Sequence, residues 1–144
     1  MADSLEERTI SLEGAQKVLR AALDRARELQ CTVSVAVGGR GGELRAFASM
    51  DGASRLSGET ARRKVNTVAM TRMSTHEFGR ILKEEMAAEP ELFHGMLGIE
   101  GMLAIAGGVA IKIDGQLIGA VAVSGGSSAE DQQIAEHAAL TIRS

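Results

Sequence analysis

The chain has 144 residues, 44% hydrophobic and 24% charged, with a formal net charge of -3. That length and balance fit one domain around one core. No basic footprint points to nucleic acid or an anionic membrane surface. With no Trp, no Tyr and three Phe, a stacking platform for bases is also missing. No apolar run reaches membrane-spanning length, and MADSLEERTISL lacks the apolar segment of a secretory signal. Cys31 is the only cysteine, which excludes an intrachain disulfide and a Cys-based zinc site; a cytoplasmic location is the expectation. Residues 1–10 read as a tail and 11–144 as a single domain.

Ser11 to Gln30 is expected to be helical. Leu12, Ala15, Leu19, Ala22, Ala26 and Leu29 recur at three- and four-residue steps, and Ser11 is placed to cap the helix. TVSVAV and ELRAFAS then read as two strands joined by the tight reversal GGRGG. After the loop SMDGASRLSG, Ser57 to Met73 reads as a second helix with Ala61, Val65, Val68 and Ala69 inward. STHE, Ser74 to Glu77, has the spacing of a capping box and opens a third helix. Glu89 to Gly101 reads as a loop with one helical turn. MLAIA, VAIKI and LIGAVAV read as three more strands, the last two joined by the hairpin signal Asp114–Gly115. Ser128 to Ile142 is the last helix, capped by Ser128. The expectation is an α+β sandwich, with a five-stranded, mainly antiparallel sheet packed with helices.

Few residues carry chemistry. His94 sits in ELFHGMLG, an imidazole beside Phe93 and Met96, which suits an axial haem ligand or a general base; a hydrogen-bonded loop histidine is the competing and plainer reading. His76 shares a helix side with Arg80 and Lys83 and reads as solvated. Lys64 lies along the apolar stripe of its helix, so its ammonium needs a carboxylate or an anionic ligand; Asp51 and Glu59 are the partners considered. SGGSS leads into a helix N-terminus, making Ser124, Gly125 and Gly126 a candidate ligand loop. Glu130 and Asp131 already put negative charge there, so a capped turn is the competing reading. No spacing suggests a metal site, a nucleophile elbow or a nucleotide fingerprint.

Two stretches resemble a known family. ELRAFASMDGASRLSGETARRKVNTVAM matches the strand–loop–helix core of GlcG/HbpS-like proteins and PduO C-terminal domains, through Gly42, Leu44, Met50, Asp51, Gly52, Ala53, Ser57, Ala61, Lys64, Thr67 and Ala69. GGVAIKIDGQLIGAVAVSGGSSAEDQQIAEHA resembles the family's second block, which includes Gly107 and Gly108. The resemblance implies a profilin-like sandwich and a homo-oligomer. It also implies haem or corrinoid association in some members. It departs at Gly38, Ser49 and Ala110, where the family carries Asp, Arg and Pro.

On these grounds His94, Met50, Lys64, Gly107 and Gly108 are the cofactor-binding candidates, with haem the possible cofactor. Three readings follow. One is a small-molecule-binding protein for haem or another tetrapyrrole. Another is a cofactor-independent enzyme acting on a small organic acid or biosynthetic metabolite, with Lys64 as anion anchor, Asp51 as acid/base partner and His94 as base. The last is an oligomeric accessory protein without catalysis.

Overall fold

The computed structural model describes residues 2–143. Five α-helices accompany four strands: α1 (Leu12–Glu28), β1 (Ser34–Gly39), β2 (Leu44–Ser49), α2 (Arg55–Thr71), α3 (Thr75–Ile81), α4 (Pro90–Leu97), β3 (Gly108–Ile113), β4 (Gln116–Ser124) and α5 (Ser128–Ala139). A π-helical turn, Leu82–Met86, extends α3.

The strands form one antiparallel sheet in the order β2-β1-β4-β3. The five-stranded expectation is therefore corrected to four. MLAIA forms no strand. Its backbone bonds to side chains instead: the Leu103 N–H donates to Thr67 Oγ1 at 2.8 Å. Gly101 and Gly107 bracket it at φ +84° and +122°, which turns the chain away from an extended ladder. A short apolar run has no way to announce this from its own composition.

Strand alternation sorts the core into two layers. Val33, Val35, Val37, Val121 and Val123 face α1 and α5, where they meet Ala15, Val18, Ala22, Ile134 and Ala138. Ala36, Ala120 and Ala122 face α2, against Ala61, Val65 and Val68. Alanines on both sides of that second interface bring α2 close to the sheet. Ile10, ahead of α1, is also buried and its N–H donates to Ile118 O at 2.9 Å.

Local signals decide the element ends. Ser11, Ser54 and Ser127 cap α1, α2 and α5 through their hydroxyls, each contributing about 1 kcal/mol. The capping box belongs to Ser127 and Glu130, one residue before the expected cap. At STHE no such box forms. Ser74 Oγ accepts from the Ala110 N–H at 3.2 Å, and Thr75 Oγ1 accepts from the Gly108 N–H at 2.9 Å. The start of α3 thus closes the outer edge of β3. Asp114 and Gly115, at φ +51° and +76°, make the β3–β4 hairpin. Pro90 opens a full helix, α4, where one turn was expected.

Candidate functional site

Lys64 points inward from α2 and is 2% exposed. Its ammonium donates to Val123 O at 2.8 Å and stands 3.6 Å from Asp131 Oδ2 on α5. Asp131 is itself buried, and its Oδ1 accepts from the Gly126 N–H at 2.9 Å. One ion pair therefore joins α2, the end of β4, the glycine loop and α5. Burial pushes the Lys64 ammonium below its ordinary value and the Asp131 carboxyl above its own; the attraction between them opposes both shifts.

The glycines expected to serve a cofactor build this hub. A side chain at Gly107 would come within 2.7 Å of Lys64 Nζ, and one at Gly108 within 3.1 Å of Lys64 Cβ. The Gly107 N–H donates to Gln132 Oε1 at 3.0 Å. Gly125, at φ +127°, runs so close to the residues leading into β1 that a Cβ would stand 2.7 Å from Thr32 O. Ser124 bonds Thr60 hydroxyl to hydroxyl. Lys64, Gly107, Gly108, Ser124, Gly125 and Gly126 thus come together. In this chain their polar groups largely satisfy one another.

The carboxylate partner of Lys64 is Asp131, not Asp51 or Glu59. Glu59 lies 3.8 Å from both Arg62 and Arg63 on the exposed side of α2. Asp51 is exposed in the turn Met50–Ala53, which is closed by the Ala53 N–H on Met50 O at 2.9 Å. Gly52 supplies the positive φ that this turn requires. Met50 is half-buried, and its sulfur accepts from the Val33 N–H at 3.4 Å. Ser49 joins a hydroxyl chain. Ser57 Oγ donates to Ser54 O at 2.6 Å and so accepts from Ser34, which in turn accepts from Ser49.

His94 stands apart from this hub. It is exposed on α4, none of whose residues is buried. Among the helices and strands, α4 packs only on the π turn before it. Phe93 meets the His94 ring edge-to-face at 5.4 Å between centroids, and Leu97 is 43% exposed one turn on. The arrangement is an exposed imidazole on a helix whose Leu92, Phe93 and Met96 are half-buried. Asp51, Lys64 and His94 share no hydrogen bond or ion pair, and Lys64 is closed to solvent. The triad envisaged for small-acid chemistry is therefore not assembled.

His76, expected to be solvated, is exposed on α3. It also lines a cavity of about 530 Å³ with Arg80, Lys83, Ile105 and Ser128. Arg80 is tied to Glu77 and Glu84 there, at 2.5 and 2.7 Å. Among the described residues no group of three or more His, Cys, Asp or Glu is placed to hold a metal ion, and no helix is long and apolar enough to cross a membrane.

Comparison with known proteins places the chain. It is 30% identical over 138 residues to the corrinoid adenosyltransferase PduO of Salmonella typhimurium, an alignment covering 92% of this chain and 39% of that protein. The chain thus spans about two fifths of that relative's length. The crystal structure of Klebsiella pneumoniae protein ORFY superposes with a TM-score of 0.87 at 28% identity, over 96% of this chain and 94% of that one. The crystal structure of a PduOC–haem complex gives a TM-score of 0.82 at 30% identity, over 93% and 95%. The family model for haem degrading protein HbpS-like matches residues 10–140, and the chain belongs to that family.

Proposed function

We propose that this protein binds haem or another flat tetrapyrrole, which His94 and the apolar residues of α4 would hold. The observation that carries the proposal is the state of α4. A helix containing Leu92, Phe93, Met96 and Leu97 has no buried residue, and it presents its one histidine to solvent. Such a surface is costly to leave in water and suits a large apolar ligand that needs a nitrogen donor. The likeness to a PduOC–haem complex supports the same reading. Haem, when bound, would supply a redox-active iron, and His94 would hold it beside the apolar residues of α4. Lys64 and Asp131 take a supporting part, holding the glycine loop rather than touching ligand. A haemin titration followed at the Soret band tests the proposal. Saturable binding is expected, with loss of the imidazole-ligated Soret spectrum in His94→Ala, and an unchanged titration in that variant removes His94 from the site.

A further inference from the structure

Arg40 is the one charged residue of GGRGG, and it reaches back from the hairpin tip across the end of the sheet. Its Nε donates to Glu7 Oε2 at 3.0 Å and its Nη2 to Glu7 Oε1 at 3.2 Å. Nη1 donates to Leu117 O at 2.9 Å. Two parallel bonds from one guanidinium are the geometry by which arginine recognises a carboxylate. Glu7 itself belongs to no helix or strand. A cavity of about 370 Å³ opens beside the pair, and two further cations line it: Arg72 from the end of α2 and Lys112 from β3. Neither has a carboxylate within 4 Å among the described residues. Arg8 also lines the cavity but is taken by Asp114 at 3.3 Å, and Glu6 stands beyond ion-pair distance of both free cations. Arg72 sits at φ +61°, where a helix end favours Gly or Asn. The chain carries that backbone cost and keeps a guanidinium at the cavity.

We propose that this cavity is a binding site for a small organic dicarboxylate, and that Glu7 is the chain's own stand-in for one end of it. One ligand carboxylate replaces Glu7 on the Arg40 fork. The other is held by Arg72 and Lys112, with the Gln116 amide beside them. The Glu7 side chain is 48% exposed and that of Arg40 23%. Exchange therefore asks a surface glutamate to swing out while Leu117 O keeps the guanidinium in place. A lone carboxylate competes poorly with Glu7, because the tether gives Glu7 a high effective concentration at Arg40. A second carboxylate on the two unpaired cations supplies what the single one lacks. No residue of α4 lines the cavity, so the site is separate from the one proposed for the tetrapyrrole.

Isothermal titration calorimetry of the full chain at fixed ionic strength tests this, with malonate, succinate and glutarate as probes and acetate and inorganic phosphate as comparisons. At least one dicarboxylate is expected to bind saturably, and more tightly than acetate or phosphate. Glu7→Gln is expected to bind it about tenfold more tightly, because no carboxylate has to leave Arg40. Arg72→Gln and Lys112→Gln are each expected to bind it about tenfold more weakly. Glu7, Arg72 and Lys112 are all exposed, so these variants leave the core untouched. No saturable binding of any dicarboxylate by wild type or Glu7→Gln would overturn the proposal. So would unchanged affinity in Arg72→Gln and Lys112→Gln, or no gain in Glu7→Gln. Acetate or phosphate binding as tightly as the best dicarboxylate would contradict a two-ended ligand.

Discussion

Lys64 and Asp131 form a buried ion pair between α2 and α5, and the two residues hold opposite ends of one backbone cluster. Lys64 takes one carbonyl near the end of β4, Val123 O; Asp131 takes the glycine loop that follows through Gly126. The pair fixes where β4 ends and α5 begins. Removing one partner strands the other charge in the core. Lys64→Met and Asp131→Leu are each expected to lower the unfolding free energy by about 3–5 kcal/mol. The double variant Lys64→Met/Asp131→Leu should recover most of that loss. Urea unfolding measures all three; two single losses that simply add in the double variant would contradict the coupling.

The same pair gives stability a characteristic pH dependence. Asp131 titrates above its ordinary 3.8 in the folded chain because burial disfavours the carboxylate. Between 3.8 and the folded value, the folded chain keeps a proton that the unfolded chain has lost, so this group makes stability fall as pH rises. Lys64 titrates below its ordinary 10.5, again through burial. Between its folded value and 10.5 the unfolded chain holds more protons, so stability rises with pH. Unfolding free energies measured from acid to alkaline pH should therefore differ in slope between wild type and Lys64→Met/Asp131→Leu in those two windows. Parallel curves would show that the pair titrates normally.

Gly107 is expected to tolerate no side chain. It sits at φ +122°, and a Cβ would stand 2.5 Å from Val123 O and 2.7 Å from Lys64 Nζ. Gly107→Ala combines backbone strain with a contact on backbone and should cost about 2–4 kcal/mol. Gly115→Ala is the comparison, at φ +76° with nothing within 4 Å of its Cβ. It meets strain alone and should cost about 1 kcal/mol. Thermal melts of the two variants separate close packing from conformation.

Much of this arrangement was legible in the residues. Periodicity located α1, α2 and α5, and Asp114–Gly115 located its hairpin. Lys64 was legible as inward-pointing because it falls on the apolar stripe of its helix. The same reasoning would have found its partner: Asp131 precedes Ile134 by three residues and Ala135 by four, so it shares their inner face. Its place beside Glu130 at a helix N-terminus draws attention instead to the negative charge there. STHE failed as a capping box because Ser74 had a better partner on β3, a tertiary contact that no local spacing reveals. MLAIA failed as a strand because Thr67 took one of its N–H groups and two positive-φ glycines bent it. His94 was legible as an imidazole among apolar residues, but its exposure on a projecting helix was not.

The most direct test of the account is a haemin titration of wild type, His94→Ala and His76→Ala, read as the Soret spectrum. His76 is the comparison because it lines a cavity with cationic and apolar walls of its own. The account predicts saturable binding for wild type and His76→Ala, with loss of the imidazole-ligated spectrum in His94→Ala. An unaltered spectrum in His94→Ala, or no saturable binding by the wild-type chain, would contradict it.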